Sequence, residues 1–163
     1  MKKIILSVNA GSSSVKVSVF IASQSLTQAA EAQIDGLTAP PPKLKYKRPG
    51  RQDDVKELDQ SITSQEDAFR VILDLLISDN ALSELSSKND VAYTTHRVVH
   101  GGDYDEPKII NDDIYNHIKE LSDLAPLYVY IPHLSPLVWY YDNEMTANII
   151  TDIMGQHLIS CVM

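Results

Sequence analysis

The sequence predicts an α/β fold built around a mixed β-sheet. Extended segments come first along the chain, and further extended segments then alternate with amphipathic helical patterns, which is the order of elements expected for this class. The chain has 163 residues, of which 44% are hydrophobic. That length and that apolar fraction suffice for one domain with a buried core.

The first two strands are predicted from a short apolar run and an alternating one. Residues 4–8 form a β-rich run, and Val15, Val17 and Val19 then recur with a period of two. Residues 9–14 separate the two runs and have the composition of a turn. We expect a further strand over residues 25–34 and a loop over residues 36–42, because consecutive prolines cannot donate to a β-ladder.

Residues 43–48 are the most basic stretch of the chain and alternate charged with apolar side chains. This alternation predicts a hairpin strand. We favour an edge strand whose lysines protect it from pairing with other chains, and a phosphate-binding role is the alternative. Pro49 and Gly50 should turn the chain, and the polar residues up to about Gln60 are expected to form an exposed loop.

The first of three predicted helices has the clearest start signal. Ser64 and Asp67 resemble a variant capping box. The residues after them place one apolar face at helical spacing: Ala68, Val71, Ile72, Leu75 and Leu76. We therefore expect this helix to pack on the sheet.

Two further helices and two further strands complete the prediction. The second helix should begin near Asn111 and end before Pro126. The third should begin at Ser135 and continue through an apolar stripe that includes Ile149 and Ile153. Strands are expected over residues 91–99 and 157–163.

Composition excludes several classes of protein. There are 14 basic and 22 acidic residues, so the net charge is −8, whereas a general nucleic-acid binder is usually basic. Cys161 is the one cysteine, which excludes an internal disulfide and a CxxC metal site and favours a reducing compartment. The sequence carries neither a secretory signal nor an apolar run long enough to span a bilayer. A cytoplasmic protein with no membrane partner is expected.

The turn between the first two strands carries the strongest chemical signal. Residues 9–16 read Asn-Ala-Gly-Ser-Ser-Ser-Val-Lys, which combines hydroxyl and amide donors with a lysine, a suitable lining for phosphate oxygens. The Asn9 carboxamide oxygen suits Mg²⁺, and Gly11 is expected to adopt a conformation unfavourable for a residue with Cβ. A strand follows instead of a helix, so this is not a Walker A loop. On composition alone, an ordinary polar hairpin turn is an equal alternative.

Two motifs together resemble the acetate kinase family. Residues 5–16 fit its N-terminal signature position by position, and residues 96–102 read His-Arg-Val-Val-His-Gly-Gly, although Thr95 stands where the family usually has glycine. The resemblance implies a ribonuclease H-like (actin-like ATPase) domain with a mixed β-sheet, an N-terminal β-hairpin phosphate loop and flanking helices. In that superfamily, nucleotide lies between two related domains.

The resemblance also implies an activity, ATP + acetate ⇌ ADP + acetyl phosphate, with Mg²⁺ as cofactor and ATP as co-substrate. It implies that Asn9 helps to place Mg²⁺ and that Ser12, Ser14 and Lys16 lie near the transferred phosphate. It assigns Arg97 to the carboxylate or acyl phosphate, a role that suits a guanidinium. A structural ion pair is the alternative for Arg97. Complete family members are expected to be homodimers.

Two departures from the family pattern limit these expectations. By the resemblance, Tyr128 stands at the position of a family histidine thought to stabilise the transition state, and the family's catalytic aspartate is expected to lie beyond residue 163. Residues 1–163 thus resemble the N-terminal domain alone, without the C-terminal nucleotide-binding domain, and are expected to be inactive by themselves and to expose apolar surface. The alternatives are a catalytically dead anion- or nucleotide-binding module and a fragment of a butyrate kinase.

Overall fold

The computed structural model describes residues 2–98, 109–110, 113, 117, 146–151 and 157–162, with side chains for residues 2–95, 113 and 117. The chain divides into two compact units, Met1–Tyr93 and Thr94–Met163. None of the helices in the described residues is long and apolar enough to cross a membrane.

The first unit is an antiparallel sheet with one helix. Its strands are β1 (Lys3–Ala10), β2 (Ser14–Ala22), β3 (Leu26–Asp35), β4 (Lys43–Lys47) and β5 (Asp54–Glu57), and they lie in the order β5-β4-β3-β2-β1. Helix α1 (Gln65–Ser78) and a 3₁₀ turn (Lys88–Asp90) lead to β6 (Val91–Val98), which continues into the second unit. The strands predicted in the first 35 residues and at residues 43–48 are therefore present.

One face of this sheet forms the core, because alternate side chains along each strand point to the same side. Each of the first four strands contributes buried apolar residues: Ile4, Leu6 and Val8 from β1, Val15, Val17 and Val19 from β2, Ala30, Ala32 and Ile34 from β3, and Leu44 and Tyr46 from β4. The turn between β1 and β2 lies at one end of this sheet.

Helix α1 covers the apolar face, as its sequence predicts. Ser64 caps it, since the Ser64 Oγ accepts a hydrogen bond from the Asp67 amide at 3.0 Å. Ala68, Ile72 and Leu76 are fully buried. Val71 and Leu75, which the periodicity also placed inside, are half-buried, whereas Leu73, which it did not, is buried. The buried face of the helix is therefore displaced toward Leu73 relative to the prediction.

The prediction for residues 43–60 needs two corrections. β4 is not an edge strand, because it pairs with β3 on one side and with β5 on the other. β5 lies in the stretch predicted to be a loop. Its four residues are all exposed, so the sequence shows no alternation of apolar and polar residues there. It is a strand because its backbone groups pair with those of β4.

Besides the end of β6, the described residues of the second unit form three short antiparallel strands, β7 (Ile109–Ile110), β8 (Thr146–Thr151) and β9 (His157–Val162), in the order β7-β8-β9. β8 overturns the predicted third helix at its C-terminal end. Residues 146–151 are largely β-branched, and they pair with β9 from Thr146–Val162 to Thr151–His157. Over a short run, apolar periodicity does not distinguish a helix from a strand. Pairing with β9 therefore decided the conformation of these residues.

The second predicted helix is described at two positions. Asp113 and His117 are both helical. The rest of this helix, and the start of the third predicted helix at Ser135, lie outside the described residues.

Candidate functional site

The turn between β1 and β2, here called the serine turn (residues 11–14), is the candidate site. Ser12 and Ser13 are exposed and Ser14 is half-buried at the start of β2. The serine hydroxyls are therefore outside the packed core, which is the placement that a phosphate-binding loop requires.

The carbonyl groups of the serine turn are all engaged by the protein. The buried side chain of Gln65, the first residue of α1, donates from Nε2 to Gly11 O and to Ser12 O, both at 3.0 Å. The Leu37 amide donates to Ser13 O at 3.0 Å, and the Gly11 amide donates to Ser14 O at 2.8 Å. These bonds fix the conformation of the turn from its inner side.

Sequence reasoning missed Gln65, although a signal was present. Gln65 lies three and seven residues before Ala68 and Ile72, so it extends their buried face toward the start of the helix. A polar residue on a buried helical face needs a hydrogen-bond partner. Its partners here are 53 and 54 residues away in sequence, which the periodicity alone does not identify.

The expectation for Gly11 is wrong. Among the described residues, positive φ angles occur at Gly36 and Gly50, and Gly11 has none. A Cβ at Gly11 would lie 3.7 Å from Ser14 Oγ and 3.8 Å from Ser14 O, which are ordinary contact distances. The chain reverses here without a left-handed residue, and the turn is held by Gln65 and Leu37 instead.

Asn9 and Lys16 lie opposite each other where β1 and β2 approach the turn. Asn9 is exposed. The Lys16 Nζ lies 2.8 Å from Glu31 Oε2 on β3, and Ser18 and Gln28 also donate to that oxygen. Partial burial raises the pKa of Glu31, but the ammonium of Lys16 and these donors outweigh it, so the net pKa lies below the ordinary value. A phosphate at the turn would therefore share Lys16 with Glu31.

The donors around the turn suit Mg²⁺ only in part. Asn9, Ser12 and Ser14 offer neutral oxygens, and within the described part of the chain no group of three His, Cys, Asp or Glu side chains is placed to hold a metal ion. Such a set fits a Mg²⁺ ion that keeps its waters and is held mainly by phosphate oxygens.

The remaining predicted site residues are described less fully. Arg97 belongs to β6, as predicted, and its backbone alone is described. Tyr128 and the glycines of the second motif, Gly101 and Gly102, lie outside the described residues.

The lysines of β4, the alternative phosphate-binding stretch, all form ion pairs with acidic side chains. Lys43, Lys45 and Lys47 lie 3.6, 2.9 and 3.3 Å from Glu57, Asp35 and Asp53 respectively. A cleft of about 270 Å³ near the end of this strand is lined by Gln28, Ala30, Glu31, Lys47, Arg48 and Pro49. Its cations are likewise paired, since Arg48 lies 3.2 Å from Asp79. The favoured prediction, a solvated edge strand with protecting lysines, holds only in part: β4 is a strand with exposed, paired lysines, but it is not at the edge.

Comparison with known sequences identifies one family. The sequence profile of the Acetokinase family matches residues 4–137. The chain is 54% identical over 132 residues to a probable acetate kinase of Neurospora crassa, with 78% of this chain and 28% of that protein covered. It is 44% identical over 127 residues to a probable acetate kinase of Emericella nidulans, with 78% and 30% covered. The chain thus spans less than a third of the length of these relatives.

Solved structures agree with these sequence matches. The crystal structure of Porphyromonas gingivalis acetate kinase superposes with a TM-score of 0.69 at 27% identity, covering 83% of this chain and 33% of that one. A propionate kinase from Francisella tularensis gives a TM-score of 0.65 at 26% identity, covering 85% and 34%. These likenesses confirm the predicted α/β class with a mixed sheet, of the actin-like ATPase type.

Proposed function

The chain belongs to the acetokinase family, and we propose that it supplies the phosphate-binding wall of a site that transfers a phosphoryl group between ATP and a small carboxylate. Acetate is the first candidate, by the reaction ATP + acetate ⇌ ADP + acetyl phosphate. The observation that carries this proposal is the serine turn. Its four carbonyls are all engaged, three by Gln65 and Leu37 and the fourth by the Gly11 amide, while its hydroxyls remain outside the core.

Phosphoryl transfer depends mainly on positioning and on neutralising the charge of the transferred group. In this proposal, the Ser12 and Ser14 hydroxyls donate to phosphate oxygens, and Lys16 supplies a positive charge that Glu31 holds in place at 2.8 Å. Asn9, together with phosphate oxygens and water, holds Mg²⁺, which neutralises phosphate charge when bound. Arg97 binds the carboxylate through its forked donors.

In the same proposal, this chain alone does not catalyse phosphoryl transfer. Tyr128 stands at the family's histidine position, and a phenol cannot carry the positive charge of an imidazolium. The residues named above form one wall, whereas efficient transfer needs several charged groups around the phosphoryl group and exclusion of water. An anion- or nucleotide-binding module without catalysis is therefore the second candidate function.

The acyl chain length is a separate part of the proposal. The structural match to a propionate kinase supports a family pocket that takes short carboxylates other than acetate. Propionate and butyrate therefore belong in the substrate panel.

The test uses the purified 163-residue chain. Amide resonances are followed by NMR during titration with inorganic phosphate and then with ATP and Mg²⁺, and acyl phosphate formation is assayed by hydroxamate trapping with acetate, propionate and butyrate. We expect shifts centred on Ser12 and Ser14 and no turnover. Asn9→Ala should reduce the response to Mg²⁺ with ATP, and the control Asn80→Ala, on an exposed residue after α1, should not.

Two results would contradict the proposal. Phosphate shifts confined to residues away from the serine turn would remove the turn from the site. Acyl phosphate formed at enzymatic rates, and abolished by Asn9→Ala, would show that the residues of this chain suffice for catalysis.

A further inference from the structure

Gln65 is buried, with 4% of its surface exposed, and it uses one amide nitrogen to bind two successive carbonyls of the serine turn. A side-chain amide has two N–H donors, and the Gly11 and Ser12 carbonyls take both of them. A buried donor left without a partner costs about 1–3 kcal/mol. Rotating either peptide unit away would therefore leave a buried donor unsatisfied.

The direction of these carbonyls decides where the neighbouring amides point. In a trans peptide unit, the C=O and N–H bonds point in opposite directions, and the peptide bonds of the turn are trans. The Gly11 carbonyl shares its peptide unit with the Ser12 amide, and the Ser12 carbonyl shares its unit with the Ser13 amide. Because both carbonyls point inward to Gln65, both amides point outward.

These two amides remain available to a ligand. Among the hydrogen bonds of the described residues, neither the Ser12 nor the Ser13 amide has a backbone acceptor, and both residues are exposed. Successive N–H groups that point the same way form an anion-binding concavity. The geometry therefore presents two main-chain donors beside the serine hydroxyls.

We propose that Gln65 is the positioning residue of the phosphate site: it holds two peptide units of the serine turn so that the Ser12 and Ser13 amides face a phosphoryl oxygen. Gln65 does not touch the ligand and acts only through these units. This inference rests on the proposed function, since the anion it prepares for is the phosphate of that site.

Gln65 holds a turn that contains no left-handed residue. Ala10 pairs with Val15, so four residues connect the two strands; connections of this length are most often built around a type I turn, and none of the four has a positive φ angle. Gln65 and the Leu37 amide hold three successive carbonyls of the turn from its inner side, so the loop is arranged before any phosphate arrives. Preorganised donors of this kind avoid the cost of reorganisation on binding.

The test compares Gln65→Met with wild type, both as the full 163-residue chain. Methionine keeps the length and apolar stem of glutamine and removes both donors. Gln52→Met makes the same chemical change at an exposed loop position and is the matched control. Gln65→Glu, which keeps the shape and lacks both donors when ionised, is the second variant if Gln65→Met does not fold.

The first readout needs no ligand. Loss of the hydrogen bonds should move the carbonyl carbon resonances of Gly11 and Ser12 and the amide resonances of Ser12 and Ser13, whereas Gln52→Met should leave them in place. The second readout is affinity for inorganic phosphate, which should fall about tenfold in Gln65→Met and stay unchanged in Gln52→Met. The midpoint of thermal unfolding reports any general loss of structure.

The outcomes separate the two proposals. If wild type binds phosphate at the turn and Gln65→Met binds it equally well, or the carbonyl resonances do not move, the role of Gln65 is refuted while the proposed function stands. If wild type does not bind phosphate at all, the proposed function fails, and the positioning role fails with it. Equal loss of phosphate affinity in Gln52→Met would also overturn the inference.

Discussion

The serine turn and β4 were both candidates for phosphate binding, and the structure separates them by the state of their polar groups. β4 has three lysines, and each is paired with a carboxylate across the strands or in the adjacent loop. The serine turn has no charge of its own, but its carbonyls are engaged on the inner side. A region rich in cations can thus be a poorer anion site than a neutral one, because its charges already have partners.

The largest expected effect on stability comes from removing Asp79, the carboxylate that binds Tyr46 and Arg48 at the end of β4. Tyr46 Oη donates to Asp79 Oδ2 at 2.6 Å, and Arg48 Nη1 donates to Asp79 Oδ1 at 3.2 Å. Burial and the neighbouring Asp79 raise the pKa of Tyr46, so the phenol stays protonated as a donor. Asp79→Ala leaves a largely buried Arg48 unpaired and should lower the free energy of unfolding by about 3 kcal/mol.

This loss is measured by urea denaturation. Asp74→Ala removes an exposed carboxylate from α1, the helix that ends just before Asp79; it is the control and should change stability little. Phosphate binding by folded Asp79→Ala should match wild type. A selective loss of the phosphate shifts at Ser12 would mean that β4 and the serine turn are one functional region.

Gly36→Ala should have the next largest effect. Gly36 has a φ of +86°, and a Cβ there would lie 3.2 Å from Ala39 O and 3.3 Å from Pro41 O. We expect the free energy of unfolding to fall by about 2 kcal/mol. The serine turn should also be disturbed, because the next residue, Leu37, donates to Ser13 O.

Gly11→Ala, inside the turn itself, should change the free energy of unfolding by less than about 0.5 kcal/mol. Denaturation of both variants checks this order, and a larger loss for Gly11→Ala would reverse it.

Acid should weaken the ion pairs and hydrogen bonds that β4 makes with Asp35 and Asp79. It should leave the hydrogen bonds of the serine turn intact, because the turn contains no titratable side chain. Burial raises the pKa of Asp35 and of Asp79, but hydrogen bonds outweigh it, from Lys45 and Gln33 to Asp35 and from Tyr46 to Asp79. Both pKa values therefore lie below their ordinary value. A lowered folded-state pKa contributes stability that is present above the unfolded pKa, about 4, and lost as the pH falls through the folded value.

The measurement is the free energy of unfolding between about pH 6 and about pH 3. Stability should fall on acidification, and Asp35→Asn should make that fall shallower. A rise in stability over the same range would show that these carboxylates are not stabilised by their partners.

The smallest effect should come from removing the charges of β4. The lysine side chains at positions 43, 45 and 47 are 52%, 45% and 51% exposed, and exposed pairs contribute at most about 1 kcal/mol each. The triple variant Lys43→Gln, Lys45→Gln, Lys47→Gln should keep its phosphate affinity within about twofold of wild type. A tenfold loss, measured by the same NMR titration, would move the phosphate site to β4.

Local patterns identified most of the first unit. The capping serine and the apolar spacing of α1, and the alternation in β1 and β2, are signals carried by neighbouring residues. The serine turn was identified by composition and by its resemblance to a family motif. The roles of Asn9, Ser12, Ser14, Lys16 and Arg97 in that site remain predictions.

The failures share a physical cause, which is that the deciding partner is distant in sequence. β5 is a strand because β4 lies beside it, and β8 is a strand because it pairs with β9. Gly11 was expected to need a left-handed conformation because glycines in tight turns often do. Gln65, 54 residues away, holds its carbonyl instead.

The sequence by itself determined the α/β class, the strand–turn–strand start, helix α1 and the family, because each depends on periodicity or on a contiguous motif. Only the tertiary structure decided which polar groups are already engaged. Lys16 bonds to Glu31, the lysines of β4 bond to acidic residues, and Gln65 holds the serine turn. The reason is that a hydrogen bond or an ion pair depends on distances of a few ångströms between side chains, and folding alone brings residues that are far apart in the chain to such distances.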